Sequence, residues 1–152
     1  MTFLDDSPDP KRIRALKIFL IVTLAVGALA SVAARPLPVM IAQWVIASWA
    51  IAPLWTLSYA LMAVAAWLVW KPAGLKSLPL IFFSAQLALN LIWRIWPAPA
   101  LAMIMNLCVL ATLILFARRN LAGGLAFLPC AIWSLFVSMP INGLANGLWQ
   151  LR

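Results

Sequence analysis

Five long apolar runs, separated by short segments that contain proline or basic residues, set the pattern of this sequence. The runs are roughly Leu16–Ala34, Pro53–Trp70, Leu78–Trp96, Ala100–Ala117 and Leu121–Leu144. Each has the length of about 20 residues that an α-helix needs to cross a hydrocarbon core of about 30 Å. A helix also satisfies its own backbone hydrogen bonds in lipid. The pattern therefore predicts an all-α integral membrane protein built as a five-transmembrane-helix bundle.

The segments between the runs define the predicted domain organisation. Residues 1–14 form a short N-terminal tail, and residues 15–152 form a single membrane domain. The segment 35–52 follows Pro36 and Pro38 and is too apolar for a free loop, so we expect it to lie in the interface or to cover the bundle as a lid. Pro53 suits the first position of the second helix. In the fifth helix, Pro140 predicts a kink.

The composition agrees with a membrane protein. The chain is 66% hydrophobic and 9% charged, with a mean hydropathy of +1.06. Soluble domains are about 45–50% apolar and about 25% charged. The net charge of +8 follows from basic residues at the ends of the apolar runs. We therefore interpret them as topology signals that meet anionic lipid headgroups, and not as a nucleic-acid surface.

The acidic and histidine content excludes most enzyme classes. No Asp or Glu follows Asp9, and the chain has no histidine, yet it has nine tryptophans. Acid–base catalysis and metal hydrolysis depend on those missing side chains. We expect no catalytic residue, no metal site and no enzymatic activity of the chain itself. Cys108 and Cys130 lie within apolar runs, and we interpret them as reduced core residues.

Three runs carry aromatic or polar residues at helical spacing. Gln86 and Asn90 share a face with Phe83 and Trp93, and at membrane depth they must face the bundle interior. One interpretation is that they form interhelical hydrogen bonds, and the other is that they line a pocket. The two interpretations are compatible. The second run adds Trp55, Tyr59 and Met62, and the fifth adds Pro129, Trp133 and Phe136. Converging faces of this kind form an aromatic pocket for a flat conjugated ligand.

Two further features admit more than one interpretation. Arg94, near the end of the third run, is expected to extend to the headgroups; alternatively it meets an anionic ligand group such as a propionate. Small residues four apart, Gly27 with Ser31 and Gly143 with Gly147, are candidate helix-contact faces.

These residues together resemble the TspO/MBR family of tryptophan-rich sensory proteins. In the family a pattern WxPPxWVFxPVWTxLY leads into the second helix, and the matching positions here are Trp44, Trp49, Pro53, Trp55, Thr56 and Tyr59. The third-helix pattern QLxLNxxW is present as Gln86, Leu87, Leu89, Asn90 and Trp93. The fifth-helix pattern PYxxWxxF is matched by Pro129, Trp133 and Phe136.

The chain also departs from the family pattern. Ile46 and Ala47 stand where the family has two prolines, Arg94 replaces a serine, and Cys130 replaces a tyrosine. The resemblance implies a five-helix bundle, often dimeric, whose pocket is closed by the first loop and binds porphyrins such as protoporphyrin IX. In some members pocket tryptophans, which align with Trp55 and Trp133, promote light-dependent porphyrin breakdown.

The hypothesis is a membrane receptor or sensor that binds a tetrapyrrole in an aromatic pocket. The candidate ligand-binding residues are Trp44, Trp49, Trp55, Tyr59, Phe83, Gln86, Asn90, Trp93, Trp133 and Phe136. No cofactor is obligatory, and protoporphyrin IX or a related tetrapyrrole is the expected ligand. Without histidine, stacking fits better than axial ligation of a haem. The expected partners are the lipid bilayer, the tetrapyrrole, and a second copy or a larger membrane assembly, with no nucleic acid.

An alternative hypothesis is an accessory or structural subunit of a larger membrane complex, for example a pigment–protein complex. It is motivated by the missing proline pair, because a bundle with a degraded pocket could persist as a packing module.

The distribution of basic residues predicts the orientation in a bacterial inner membrane. The side that includes the N-terminus carries Lys11, Arg12, Arg14, Lys17, Lys71, Lys76, Arg118 and Arg119. The other side carries only Arg35, Arg94 and Arg152. Because basic residues are retained in the cytoplasm, we expect a cytoplasmic N-terminus and a periplasmic C-terminus.

Reporter fusions to the C-terminus test this orientation. An alkaline phosphatase fusion should be active, because that enzyme folds in the periplasm. Fluorescence from a C-terminal green fluorescent protein, which folds in the cytoplasm, would contradict this topology.

Overall fold

Five α-helices make up the described part of the protein. The computed structural model describes residues 10–33, 48–73, 76–96 and 98–138, and these contain no strand. The helices are α1 Pro10–Ala33, α2 Ser48–Ala73, α3 Leu78–Ile95, α4 Pro99–Arg119 and α5 Leu121–Ser138. In α1 to α4 the apolar stretch is long enough to cross a membrane, while in α5 the apolar stretch Leu121–Leu135 is shorter. The predicted all-α, five-helix membrane fold is confirmed.

Two helices begin earlier than the apolar pattern predicts. Helix α1 begins at Pro10, so the basic residues from Lys11 onward already belong to it. Helix α2 begins at Ser48 and not at Pro53, so the last residues of the predicted lid segment are helical. Proline removes only one backbone donor, and a helix can absorb this loss near its start. Residues 34–47 and the predicted kink at Pro140 lie outside the described residues.

The helices pack as a closed ring in the order α1, α2, α5, α4, α3. Each contacts its two neighbours in that order, and α2 also touches α3 and α4. Successive helices run in opposite directions, so the basic residues gather at one end of the bundle. We call this the basic end; it includes Arg12, Lys76 and Arg118. The opposite end contains the C-terminus of α1 and the N-terminus of α2.

Three phenylalanines fill the core in the half of the bundle nearer the basic end. Phe83 of α3 stacks on Phe116 of α4 with ring centroids 5.9 Å apart. Phe116 meets Phe127 of α5 edge-on at 5.4 Å. All three are buried. Aromatic pairs at these distances add to the stabilisation that burial provides. This phenylalanine core therefore joins α3, α4 and α5 in the half of the bundle nearer the basic end.

Asn120 joins α4 to α5 and ties both to α2. Its backbone N–H donates to the Phe116 carbonyl over 2.8 Å, which ends α4. Its side-chain oxygen accepts a bond of 3.2 Å from the N–H of Gly123, which caps the start of α5. Its amide nitrogen donates to the Leu68 carbonyl of α2 at 3.4 Å. One polar side chain thus bonds to backbone groups of α2 and α5 at the basic end.

Close approach of α1 to α2 depends on Gly27. A Cβ atom at this position would lie 2.9 Å from the ring of Tyr59, closer than van der Waals contact allows. The predicted helix-contact role of Gly27 is confirmed. Ser31 is exposed and donates to the Gly27 carbonyl of its own helix over 2.9 Å. The pair Gly143 and Gly147 lies outside the described residues.

The Gly27 contact predicts a specific sensitivity to added volume. Gly27→Val should lower the free energy of unfolding by about 1–3 kcal/mol, because the new side chain overlaps the Tyr59 ring. Ala28→Val is the matched control, since Ala28 is exposed on the lipid-facing side of the same helix. Unfolding by sodium dodecyl sulfate in mixed micelles measures both. Equal effects of the two substitutions would show that α1 does not pack closely on Tyr59.

Candidate functional site

A cavity lies between α2, α3, α4 and α5, in the half of the bundle away from the basic end. The cavity has a volume of about 40 Å³. Its walls combine aromatic, aliphatic and a few polar side chains. They are Trp55, Ser58, Tyr59, Met62, Gln86, Leu87, Asn90, Trp93, Met105, Val109, Cys130, Trp133 and Ser134.

Six of the ten residues that the sequence predicts to bind a ligand line this cavity. They lie on α2, α3 and α5, whose predicted faces converge as expected, and they are Trp55, Tyr59, Gln86, Asn90, Trp93 and Trp133. Helical spacing of three and four residues was sufficient to find them. Whether they bind a ligand stays a prediction.

Of the other four candidate residues, Phe83 does not line the cavity, and three lie wholly or by their side chains outside the described structure. Phe83 shares a face with Gln86 but lies one turn nearer the basic end, where it stacks on Phe116; its place is the core. Trp44 lies outside the described residues. Trp49 and Phe136 belong to α2 and α5, but their side chains lie outside the described part.

Sequence reasoning missed the contribution of α4. Met105 and Val109, one turn apart, form part of the cavity wall. The available signal was Asn106, a polar residue at membrane depth. Its side-chain oxygen accepts a hydrogen bond of 3.2 Å from Ser134 of α5, which also lines the cavity. A polar pair of this kind draws two helices together in a bilayer.

Trp55 is the centre of the aromatic wall. Its ring is tilted by 33° against Tyr59 at a centroid distance of 5.7 Å. It meets Trp133 edge-on at 6.3 Å, with an angle of 86° between the planes. In an edge-to-face pair the edge of one ring meets the face of the other. Trp55 and Trp133 together give the cavity an aromatic wall.

The polar residues of α3 divide into a bonded and an unbonded group. The Tyr59 hydroxyl donates to the side-chain oxygen of Asn90 over 3.1 Å, which joins α2 to α3. Gln86 is only 2% exposed, and neither its amide oxygen nor its amide nitrogen has a hydrogen-bond partner among the described residues. Buried amides without partners are rare and costly. Both interpretations of this face hold: Asn90 bonds between helices, and Gln86 and Asn90 both line the cavity.

Arg94 turns toward the interior and not toward the headgroups. Its Nε–H donates to the Ala30 carbonyl of α1 at 3.2 Å. The guanidinium carbon lies 5.2 Å from the centroid of the Trp55 ring, within the range of a cation–π interaction. The favoured expectation that Arg94 extends to the headgroups is therefore wrong. The attraction of the indole face and of a helix-terminal carbonyl explains the difference.

Trp67 shows a different arrangement at the basic end. Its indole N–H donates to the Arg12 carbonyl over 3.0 Å, and the Arg12 guanidinium lies 5.5 Å from its ring centroid. Nearby, Trp70 packs edge-on against Phe19 at 6.5 Å. None of these residues lines the cavity. They anchor α1 to α2 at the level where tryptophan and arginine meet the membrane surface.

Comparison with known proteins adds a family and one named relative. The model of the TspO/MBR family matches residues 18–141, a range that includes all thirteen residues lining the cavity. A protein of Cereibacter sphaeroides named tryptophan-rich sensory protein is 35% identical over 94 residues. The match covers 57% of this chain and 59% of that protein. This chain therefore corresponds to well under two thirds of the relative's length.

The unpartnered amide of Gln86 predicts an unusual gain of stability on its removal. Gln86→Leu should raise the free energy of unfolding of the ligand-free protein by about 1–3 kcal/mol, because it removes a buried group that lacks a partner. Asn90→Leu is the matched control and should lower the same quantity by about 1 kcal/mol, because it leaves the Tyr59 hydroxyl unpaired. Mixed-micelle unfolding measures both. A loss of stability in Gln86→Leu would mean that the amide is satisfied in the folded protein.

Proposed function

The chain belongs to the TspO/MBR family, and from this premise we propose that it is a membrane receptor that binds a tetrapyrrole in its aromatic cavity. The observation that carries the proposal is the cavity wall itself. Three tryptophans and Tyr59 line the same cavity as Gln86, whose buried amide has no partner among the described residues. Large apolar ring surfaces with few polar groups suit a flat, conjugated ligand.

A role in sensing or reception has support beyond the cavity. The family and the name of the Cereibacter sphaeroides relative both support a membrane sensor or receptor. The chain itself supplies no Asp, Glu or His after residue 9 for acid–base chemistry. We therefore propose no catalytic residue, and any photochemical reaction would be that of the bound ligand.

Gln86 gives the proposed ligand a specific polar contact. A tetrapyrrole has N–H donors and nitrogen acceptors at its centre, and its periphery carries further polar substituents. The amide of Gln86 has two donors and one acceptor oxygen, so it can pair with either kind of group. Satisfying this amide would recover the free energy that its burial costs in the ligand-free protein.

The cavity must widen to admit a tetrapyrrole. The volume of the cavity is about 40 Å³, whereas pockets that hold drug-sized ligands have volumes of about 300–1,000 Å³. Met62 of α2 and Met105 of α4 both line the cavity, and methionine is the side chain that most readily changes its shape. We propose that these two side chains move aside when the ligand enters from the open side.

The remaining features of the proposal concern the surroundings of the protein. Lipid-facing apolar residues cover α1 and α4, for example Ile21, Leu29, Ile104 and Leu107. They place the bundle in a bilayer. We propose the bacterial inner membrane, with a cytoplasmic N-terminus, and a second copy or a larger assembly as lateral partner.

The accessory-subunit alternative receives less support. Its motivation was the missing proline pair at positions 46 and 47, which lie outside the described residues. Neither the family nor the named relative points to a role in a larger complex. A cavity with an aromatic wall remains in the bundle, so we propose the receptor.

Titration with protoporphyrin IX tests the proposed function. Detergent-purified protein should bind it saturably at one site, followed by tryptophan quenching and by the shift of the porphyrin absorption band. Trp55→Phe and Trp133→Phe should each weaken binding about three- to tenfold, since each removes ring area from the wall.

Trp67→Phe is the matched control for this titration. It removes an indole of the same size at the basic end, remote from the cavity, and should leave the affinity unchanged. Saturable binding that all three substitutions weaken equally, or no saturable binding at all, would refute the cavity as the tetrapyrrole site.

A further inference from the structure

Arg94 has no carboxylate partner among the described residues. It lies partly buried near the C-terminal end of α3, on the side of the bundle opposite the basic end. No residue from 10 to 152 is Asp or Glu. The described part of the chain therefore offers this guanidinium no carboxylate side chain. Ionisable groups inside a membrane protein are costly, and as a rule they serve a function with a definable partner.

The contacts of Arg94 use only part of its hydrogen-bonding capacity. A guanidinium has five N–H donors arranged as a planar fork. The Nε–H donates to the Ala30 carbonyl over 3.2 Å, and the described residues provide no acceptor for the four N–H groups on the Nη atoms. The Trp55 ring at 5.2 Å holds the plane of the group but accepts no conventional hydrogen bond. The N–H groups on the two Nη atoms, which arginine uses to bind oxyanions, therefore remain free to bind a ligand.

The position of Arg94 relates it directly to the cavity. Asn90, four residues earlier on the same face of α3, lines the cavity, and so does Trp55, on which the guanidinium lies. Residues four apart on a helix are neighbours. The charged group is thus separated from the cavity by one indole ring, at its rim and not in the lipid phase.

We propose that Arg94 selects the ligand of this cavity by binding an anionic oxyacid group, a carboxylate, on the ligand's edge. The inference rests on the proposed function and names the chemical class of ligand: an apolar ring system with a peripheral carboxylate. The Nη donors bind the carboxylate in the bidentate manner typical of arginine. Arg94 is partly buried, and an ion pair there is stronger than one on the open surface.

A purely structural role for Arg94 is the competing explanation. The Ala30 carbonyl lies in the last turn of α1, where carbonyls have no intrahelical partner, and a cation there is favourable. This role requires one donor and would not depend on the charge of a ligand. The two explanations therefore differ in what the substitution of Arg94 does to charged and neutral ligands.

The test compares protoporphyrin IX with its dimethyl ester, which has the same ring system without the carboxylates. Both are titrated into wild type and Arg94→Gln in an uncharged detergent free of lipid. We expect Arg94→Gln to weaken binding of the diacid about tenfold and to leave binding of the ester unchanged. Comparing each probe between variants cancels the different partitioning of the two probes into micelles.

Two further variants control for charge and for structure. Arg94→Lys keeps the charge but loses the planar fork, so it should retain only part of the preference for the diacid. Arg119→Gln removes the same charge from the exposed surface of the basic end and should change neither affinity. Thermal unfolding of each variant without ligand reports the structural contribution separately.

Distinct outcomes overturn the inference. Equal weakening of diacid and ester in Arg94→Gln would show a structural role only, while leaving the proposed function intact. Loss of the diacid preference in wild type on addition of phosphatidylglycerol, with ester binding unchanged, would identify a lipid phosphate as the occupant and overturn the carboxylate assignment. Failure of both probes to bind wild type would refute the proposed function and this inference together.

Discussion

The structure depends on the need to satisfy polar groups where no water is available. Within a bilayer each buried N–H, carbonyl or side-chain polar group must find its partner in the protein. The bundle meets this requirement at most positions. The Tyr59 hydroxyl bonds to Asn90, and the Ser134 hydroxyl bonds to Asn106. Among the described residues, the Gln86 amide at the cavity lacks a partner, and so do the hydroxyls of Thr23 and Ser77, which do not line it. The Arg94 fork lies beside the cavity with only its Nε–H bonded.

The two halves of the bundle solve the packing problem differently. Near the basic end, the phenylalanine core of Phe83, Phe116 and Phe127 fills the space between three helices. In the other half, tryptophans meet edge-on and leave a cavity. The two halves therefore differ in packing: stacked phenylalanines fill one, and a cavity with an aromatic wall occupies the other.

The sequence predicted the helices and much of the cavity wall, for identifiable reasons. Apolar length reports membrane crossing directly, and spacing of three and four residues reports a shared face. Spacing does not say how deep a residue lies, so Phe83 was placed in the cavity although it belongs to the core. Spacing also does not identify the neighbouring helix. The contacts of Arg94 with Ala30 and Trp55 become visible only once the helices are packed. The same holds for the contribution of α4 to the cavity wall.

The most direct test of the central claim is an NMR spectrum of the indole N–H groups with and without protoporphyrin IX. In protein labelled with ¹⁵N-tryptophan, each of the nine tryptophans gives one signal that can be assigned by substitution. If the aromatic cavity is the binding site, the signals of Trp55, Trp93 and Trp133 shift on binding, while those of Trp67 and Trp70 stay in place. Shifts confined to Trp67 and Trp70, or spread evenly over all signals, would contradict the account.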